Sequence, residues 1–393
     1  MKKESKNKKI IVLAGSGSGG PVTPLLAVAE TLGEIAPEAE FVFVGTPGGV
    51  EERLAKNAGL RYKAIQSGKL HRYWTLKNIL APFLIAIGFV QSYRLLRRLG
   101  ADCVLGAGGF VQVPVMWAAW LLGIPVIVHQ QDVEPGLANI LCAPIARNIT
   151  VTFASSLLDF PPGWILRHLD QESDERLLWT GNPVRQLNVP LREKALKKFD
   201  LDVEYPTLLV MGGGTGSRAL NELVVAALPL LVRFVNVIHI TGTGRGQVGG
   251  AHERYRAYEF ITDMASAYGA CDMVVARAGL GTITELALIH RPAIIVPMPG
   301  GHQEANAALL AEHEAALVVE QAVLTPENLV SLMRGLLFEH ALQKRLVKNM
   351  SALMPANAAV LVSDVVIHAS GLDMPTRTVT KKHAPKSVHK VKK

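Results

Sequence analysis

Short apolar runs, each followed by a glycine-rich turn and a helical pattern, recur along this 393-residue chain. Ile10 to Ala14 leads into a Gly/Ser loop and then a helical pattern from about Val22 to Leu32. Thr207 to Met211 leads in the same way into a glycine loop at 212–217 and a helix from Arg218. A strand, a glycine loop and a helix in that order open a parallel α/β unit. Two such openings in one chain predict two similarly wound α/β domains.

A third unit of this kind spans 272–308 and carries the clearest candidate for chemistry. Met273 to Ala276 is a predicted strand, a glycine-loosened turn follows it, and a helical pattern begins at Thr282. In open parallel sheets, ligands lie outside the carboxyl ends of the strands, where helix N-termini present free N–H groups. The turn from Gly279 to Thr282 is therefore a candidate anion site.

Two interpretations of Thr282 and Glu285 are open at this point. A Thr cap with Glu three positions later is a capping box. Its side chains accept hydrogen bonds from N–H groups that have no partner within the helix, which stabilises the helix by ~1 kcal/mol. Alternatively, Glu285 accepts hydrogen bonds from a sugar diol while the backbone at Leu280 and Gly281 approaches a phosphate. Both can hold, because the first helical turn offers more N–H groups than one side chain can satisfy.

The N-terminal half contains two further strand ends on the same predicted sheet edge. A strand at 104–106 runs into a glycine turn at 106–109, and Val126 to His129 is a strand whose exit reads His129-Gln130-Gln131-Asp132. His129 is either a structural histidine whose ring nitrogens are hydrogen-bonded within the protein or a functional one. The uncharged stretch from Cys103 to Val128 is long enough to span a bilayer. Its glycines and prolines divide it into strand, short helix and strand, so we predict buried core.

Composition supports a soluble α/β protein with a large core. Apolar residues make up 49% and charged residues 19% of the chain, and its length favours two domains. The three cysteines (Cys103, Cys142 and Cys271) lack CxxC spacing. We therefore expect a reducing compartment, with no disulfide framework and no zinc site.

The net charge of +8 lies in the two ends of the chain. Residues 1–9 carry +4 and residues 374–393 carry +7, which leaves the body at about −3. Such tails are either solvated and disordered or attracted to an anionic membrane surface. Nucleic-acid binding is not expected, because the body lacks a basic stripe with interleaved aromatic residues.

The segment 70–99 is predicted as a loop followed by an unusually apolar and aromatic helix. Trp74, Ile79 and Phe83 belong to its apolar face, and Lys77 and several basic residues lie beside its start. A buried core helix is one interpretation. Basic residues beside exposed aromatic side chains would instead suit a membrane-surface patch.

Taken together, these stretches resemble the MurG family, the N-acetylglucosaminyltransferases that convert the first undecaprenyl-linked intermediate of peptidoglycan synthesis into the second. The resemblance covers about 10–371, and its motifs occur in the family's order. They read GSGSGGPVTPLLAVA, VLGAGGF, GIPVIVHQQDVEPGLAN, GNPVR, GGGTGSRALNE, FITDMA, RAGLGTITELA and HQEANAALL.

The resemblance implies a GT-B architecture, in which two Rossmann-like doubly wound domains face each other across a cleft. The N-terminal domain at 10–184, with a returning helix at about 355–371, would hold the lipid-pyrophosphate acceptor. The C-terminal domain at 185–354 would hold UDP-N-acetylglucosamine. Basic tails at 1–9 and 372–393 would flank them, and the protein would bind peripherally to the cytoplasmic face of an anionic membrane.

Residue roles follow from the same resemblance. The Ile261 backbone would meet the uracil, Glu285 the ribose hydroxyls, and Gln303 and Asn306 the donor sugar. The positions that would contact UDP-N-acetylglucosamine are Ser18, Gly19, Gly20, Asp132, Arg185, Gly214, Thr215, Ile261, Leu280, Gly281, Thr282, Glu285, Gln303 and Asn306. Trp74, Ile79 and Phe83 would form the acceptor or membrane patch.

Two departures from the family pattern concern the general base. Pro21 stands where the family usually has a histidine, and proline cannot accept a proton. Asp132 stands where the family usually has an asparagine, so a carboxylate becomes available. His129 and Asp132 are both candidates for the base.

No cofactor or metal is expected, because Arg185, N–H groups and the helix dipole can balance the diphosphate charge. Three alternatives remain. These are another GT-B UDP-sugar transferase, such as a diacylglycerol glycosyltransferase, a UDP-sugar epimerase or hydrolase, and a donor-binding scaffold without catalysis.

Overall fold

Two parallel β-sheets with helices around them organise the chain. The computed structural model describes residues 8–17, 19–68, 76–160, 176–213, 216–246 and 248–372, with the side chains of 76–80 excepted. The first sheet has seven strands in the order β3-β2-β1-β4-β5-β6-β7, and the second has six in the order β10-β9-β8-β11-β12-β13. The pairings within both sheets are parallel, as predicted from the strand, loop and helix pattern.

The first sheet is built from the N-terminal half. Its strands are β1 (Lys9–Ala14), β2 (Ala39–Gly45), β3 (Arg61–Ala64), β4 (Cys103–Gly106), β5 (Val126–Gln130), β6 (Asn148–Val151) and β7 (Leu177–Trp179). The helices that connect them are α1 (Thr23–Ile35), α2 (Val50–Asn57), α3 (Leu76–Leu99), α4 (Gln112–Leu121) and α5 (Leu137–Cys142).

The second sheet follows helix α6 (Arg192–Phe199). Its strands are β8 (Thr207–Met211), β9 (Asn236–Ile240), β10 (Tyr255–Tyr258), β11 (Met273–Ala276), β12 (Ala293–Ile295) and β13 (Leu317–Val318). Its helices are α7 (Arg218–Leu231), α8 (Met264–Ala270), α9 (Leu280–Ile289), α10 (His302–Glu312), α11 (Pro326–Phe338) and α12 (His340–Ala352).

The last helix, α13 (Ala358–Ser370), belongs to the core of the first sheet. Val362 and Val366 are buried in the same cluster as Ile11 and Leu25 of β1 and α1. The chain therefore crosses to the second sheet and returns.

The long uncharged stretch forms part of the first sheet, as the sequence predicted. It consists of β4, α4 and β5, and both strands are fully buried. Within the described ranges, no helix is long and apolar enough to cross a membrane. Cys103, Cys142 and Cys271 are buried free thiols, and burial raises the pKa of each to about 12.

Candidate active site

Helix α9 begins at a turn that leaves its first N–H groups open. Gly279 is the N-cap residue, has an extended backbone and provides no side-chain cap. The first intrahelical bond runs from the Ile283 N–H to the Gly279 carbonyl. The N–H groups of Leu280, Gly281 and Thr282 therefore lack helical partners at the carboxyl end of β11, where the sequence predicted an anion site.

The capping box predicted for Thr282 and Glu285 is wrong. The helix starts two residues before Thr282, so Glu285 is the sixth helical residue and cannot reach back to the cap. Glu285 instead faces α8, where the Tyr268 hydroxyl donates to its Oε2 at 2.5 Å. Threonine was expected as the N-cap because it is common at that position. In the structure the extended backbone of Gly279 forms the N-cap, and the helix begins at Leu280.

Glu285 is partly buried beside that turn. Burial raises its pKa, and the hydrogen bond from Tyr268 opposes part of this effect. Burial and the nearby Glu285 charge raise the pKa of Tyr268 well above its usual value, so Tyr268 remains a donor at neutral pH. Within the described part of the chain, Oε1 of Glu285 has no hydrogen-bond partner. That oxygen is available to a ligand hydroxyl.

Ile261 lies in the loop between β10 and α8, and its side chain packs against the core that also contains Leu280 and Tyr268. Its N–H and C=O form no hydrogen bond with other described residues. The structure thus brings the Ile261 backbone and Glu285 to the same end of the second sheet.

Asn306 joins the two halves of the molecule. It is fully buried on α10, where its Oδ1 accepts from the Val133 N–H at 3.2 Å and its Nδ2 donates to Asp132 Oδ1 at 3.0 Å. The same Nδ2 donates to the Ala278 carbonyl at 3.1 Å. Gln303, one turn earlier, accepts from the Met298 N–H. The Asp132 carboxylate is therefore held beside the α9 turn by a side chain of the second sheet.

A second link between the halves starts from His129. The Thr150 hydroxyl lies 2.9 Å from His129 Nδ1, and Nε2 lies 3.1 Å from Asn182 Oδ1. Asn182 Nδ2 donates to Thr284 Oγ1 at 2.9 Å, and Thr284 donates to the Leu280 carbonyl at 2.8 Å. All four side chains are buried. We call this chain of hydrogen bonds the His129 relay.

The protonation of the relay follows from its partners. Asn182 Oδ1 can only accept, so His129 carries its proton on Nε2 and its Nδ1 accepts from Thr150. Burial lowers the pKa of His129 to about 4, although the hydrogen bond to Asn182 raises the pKa by a smaller amount. His129 is therefore neutral at pH 7, with both ring nitrogens engaged.

We expect Thr284→Val to break the relay while preserving shape. Asn182 Nδ2 would lose its acceptor, and an unsatisfied buried donor costs about 1–3 kcal/mol of unfolding free energy. Urea denaturation measures this loss, and the kcat/KM of the transfer reaction that the family resemblance implies should fall in parallel because the Leu280 turn loses its anchor. Thr284→Ser keeps the hydroxyl and should restore both. Equal behaviour of the Val and Ser variants would contradict the relay.

Buried amide side chains shape the loops on the first sheet. Gln112 accepts from the Gly108 N–H and donates to Asn139, and Asn139 donates to Gln130 Oε1. Gln130 in turn donates to the Asp132 carbonyl at 2.7 Å. Sequence reasoning missed Gln112, although a glutamine inside an uncharged stretch is a signal of a buried hydrogen-bond network.

The first glycine loop lies against the loop after β4. The Ser16 hydroxyl accepts from the Val111 N–H, and a Cβ on Gly109 would lie 2.3 Å from the Ser16 carbonyl oxygen. Gly19 and Gly20 follow at the start of α1, where the Gly19 carbonyl accepts from Thr23. Ser18, Gly214 and Thr215 lie outside the described residues, as does Trp74.

The two arginines near the candidate site occupy different environments. Arg185 is exposed and lies 3.5 Å from Glu30 on α1, and this is its one ion pair within the described ranges. Arg277, which immediately follows β11, is buried. It donates to Ser217 Oγ at 3.0 Å and to the carbonyls of Val296 and Pro297. Arg277 thus fastens the second glycine loop to the end of β12.

Helix α3 presents one apolar face to solvent. Phe83 is 67% exposed, and Ile87 and Val90 follow on the same face. Trp120 and Leu121 of the neighbouring α4 are also exposed. We call these five residues the α3 patch. The interpretation of this helix as wholly buried core is therefore wrong for this face, and the side chain of Ile79 lies outside the described part.

Basic residues border the α3 patch. Arg94, Arg97 and Arg98 line a cavity of about 640 Å³ together with Val90 and Leu121. From 76 to 99 the sequence contains no acidic residue.

The described residues contain no group of three or more His, Cys, Asp or Glu that could hold a metal ion.

Comparisons with known proteins agree with this architecture. Residues 11–151 match the model of the glycosyltransferase family 28 N-terminal domain, and residues 207–361 match that of its C-terminal domain. The crystal structure of Acinetobacter baumannii MurG superposes with a TM-score of 0.69 at 28% identity, covering 92% of this chain and 99% of that one. A UDP-N-acetylglucosamine 2-epimerase superposes with a TM-score of 0.63 at 12% identity, which shows the fold alone. The fold and site thus define a glycosyltransferase of GT-B architecture.

Curated relatives narrow the class. A protein from Paenarthrobacter aurescens is 34% identical over 91% of this chain and 96% of its own length. One from Bacillus cereus is 31% identical over 92% of this chain and 99% of its own. Both are named UDP-N-acetylglucosamine–N-acetylmuramyl-(pentapeptide) pyrophosphoryl-undecaprenol N-acetylglucosamine transferase, the second with the suffix 2. The chain belongs to the MurG family of glycosyltransferase family 28.

Proposed function

We propose that this chain transfers N-acetylglucosamine from UDP-N-acetylglucosamine to the 4-hydroxyl of an N-acetylmuramyl-(pentapeptide) pyrophosphoryl-undecaprenol acceptor, with inversion at the anomeric carbon. The observation that carries the proposal is the open N-terminus of α9 beside the Asp132 carboxylate. The first is suited to a diphosphate and the second to a hydroxyl that must lose its proton. The names of the curated relatives support the choice of sugar and acceptor.

The donor would lie along the carboxyl end of the second sheet. The uracil would meet the Ile261 backbone, and the ribose hydroxyls would donate to Glu285. The diphosphate would approach the N–H groups of Leu280, Gly281 and Thr282. As UDP departs, these N–H groups and the helix dipole would stabilise the charge that develops on it, which is usually the larger catalytic contribution.

Asp132 is our choice for the general base. The acceptor hydroxyl forms a bond to the anomeric carbon, the bond from that carbon to UDP breaks, and Asp132 takes the hydroxyl proton. His129 suits a positioning role instead, because both its nitrogens are engaged and its pKa is about 4. We also propose that the domains divide at 184/185, with α13 returning to the first.

Gln303 and Asn306 would adjust when the donor sugar binds. The Asn306 amide forms hydrogen bonds with Asp132, Val133 and Ala278 in this structure. To bind the sugar, it must therefore give up at least one of these hydrogen bonds. Such a change would free Asp132 as the donor arrives.

One assay tests the proposed reaction. Radiolabelled UDP-N-acetylglucosamine is incubated with a soluble analogue of the lipid-pyrophosphate acceptor, with diacylglycerol, or with no acceptor, each with and without EDTA. We expect label in the disaccharide product from the first acceptor only, and no loss of rate in EDTA. Transfer to diacylglycerol would overturn the acceptor assignment. Release of free sugar without acceptor would indicate a hydrolase, and binding without turnover a scaffold.

The α3 patch is proposed as a membrane contact. Its apolar side chains can enter the interfacial region while Arg94, Arg97 and Arg98 meet anionic head groups, each worth ~1 kcal/mol near the surface. This arrangement would place the acceptor beside the loops of the first sheet.

We expect Phe83→Asp combined with Ile87→Asp to abolish most vesicle binding. Cosedimentation with vesicles containing anionic lipid measures this loss, and turnover of a soluble acceptor analogue should stay near the wild-type rate. A matched control is Leu158→Asp with Leu191→Asp, since both leucines are exposed outside the patch. Equal loss of sedimentation in the two double variants would argue against the patch.

A further inference from the structure

A second cavity lies at the opposite end of the second sheet from the candidate active site. It has a volume of about 660 Å³ and includes Pro206, Asp272 and Pro292, which immediately precede β8, β11 and β12. The α9 turn lies at the carboxyl ends of the same strands. Since α9 has ten residues, its two ends are separated by roughly 15 Å. The cavity is therefore distinct from the donor site.

Cationic and titratable side chains make up part of the lining of this cavity. Arg291 and Lys344 line it, together with His290 and His340. Its acidic lining residue, Asp272, accepts from the Thr207 N–H and pairs with Arg192 at 3.3 Å. The charge of Asp272 is thus already balanced, and the cavity has an excess of positive charge.

Arg291 supplies an independent sign of a missing partner. Its guanidinium lies beside the Cys271 thiol, but its Nε is buried and has no hydrogen-bond partner among the residues that the structure describes. A buried unsatisfied donor costs about 1–3 kcal/mol, and native proteins rarely leave one without a water or an ion. Helix α12 also begins at the cavity with no side-chain cap, so its first N–H groups add positive potential there.

Another part of the cavity lining is apolar. Phe234, Leu337 and Val347 line it, and the exposed Phe338 is at its rim. An inorganic anion would contact only the cationic lining residues, whereas a ligand with an aromatic or aliphatic body would also bury the apolar ones.

We propose that this cavity binds a small organic anion, with a phosphate or carboxylate group against Arg291 and Lys344 and an apolar body against Phe234 and Phe338. The site is independent of the transfer reaction. Helix α9 ends at this cavity and α12 begins there. An occupant would therefore contact the C-terminal end of α9, the helix whose first turn faces the donor.

Equilibrium dialysis of the full-length protein with 1-naphthyl phosphate tests the proposal. Saturating UDP occupies the donor site, and 1-naphthol, which has the same rings without the phosphate, serves as the uncharged probe. We expect 1-naphthyl phosphate to bind at least tenfold more tightly than 1-naphthol. Lys344→Glu should remove most of that preference.

Lys348→Glu is the matched control, since Lys348 is exposed one turn later on α12 and does not line the cavity. It makes the same charge change and should leave binding unchanged. Arg291→Gln should also weaken 1-naphthyl phosphate, and its thermal unfolding checks that the fold is retained. Equal effects of the Lys344 and Lys348 variants, or equal binding of the two probes to the wild type, would overturn the proposal.

Discussion

Replacing Glu285 with Ala should raise the KM for UDP-N-acetylglucosamine by about 10- to 100-fold while kcat changes little. A carboxylate that accepts from two ribose hydroxyls contributes about 1.5–3 kcal/mol, and each 1.4 kcal/mol corresponds to a factor of ten in affinity. The ribose lies away from the reacting bond, so its contact should be equal in ground and transition states and should affect KM alone. Steady-state kinetics with varied donor measures both constants. Unchanged donor KM would remove Glu285 from the donor site.

The pH dependence gives a second test of the same residue. Burial raises the pKa of Glu285, and its charged form is the better acceptor for hydroxyl groups. As pH falls through this raised pKa, Glu285 becomes protonated and the donor KM should increase. The increase should begin above the pH range in which an ordinary glutamate titrates, and Glu285→Gln should lack it.

Tyr268→Phe is a control that leaves the Glu285 carboxylate in place. Its hydroxyl donates to Oε2 and lowers the Glu285 pKa, so its removal should move the acid limb to higher pH. At pH values well above this limb, the donor KM of Tyr268→Phe should be close to wild type. A limb that does not move would indicate that another group titrates.

The sheets were predictable because buried parallel strands are continuous apolar runs. β8 and β11 occur at the predicted bounds, 207–211 and 273–276. β3 was missed because Arg61 to Ala64 pairs at the sheet edge, is mostly exposed and has little apolar character. Propensity and burial therefore determine most of the core, and edge strands depend on tertiary pairing.

The site was predictable only in part, for a related reason. The α9 turn follows from local sequence, since a glycine after a buried strand opens the helix N-terminus. The contacts of Asp132 and His129 do not, because their partners come from distant sequence. Asn306 is 174 residues from Asp132, and Thr284 is 102 residues from Asn182. No spacing rule reports such pairs, so the sequence left the choice between His129 and Asp132 open.

Asp132→Asn should lower kcat by about 10²–10⁴-fold and leave UDP affinity unchanged. The asparagine Oδ1 can still accept from Asn306 Nδ2, so the link between the two sheets is preserved while the proton acceptor is lost. Single-turnover kinetics measures the rate, and isothermal titration measures UDP binding. Asp132→Ala serves as a comparison that also breaks the link. A wild-type rate in Asp132→Asn would rule out Asp132 as the base.

Pro21→His in the Asp132→Asn background tests whether Asp132 acts as the general base in place of a histidine at position 21. The alternative is that Asp132 contributes only its negative charge. A Cβ built on Gly108 would lie 3.8 Å from Cγ of the Pro21 ring, and the neighbouring Ala107 carbonyl accepts from Gln131, the residue before Asp132. The two positions are thus on adjoining loops at the same sheet edge. If this chain uses Asp132 because Pro21 cannot accept a proton, the histidine should recover at least tenfold of the lost kcat. That recovery should vanish as pH falls and the histidine becomes protonated, since only neutral imidazole accepts a proton. Failure of the double variant to gain activity, with UDP binding intact, would place the base elsewhere on the acceptor side.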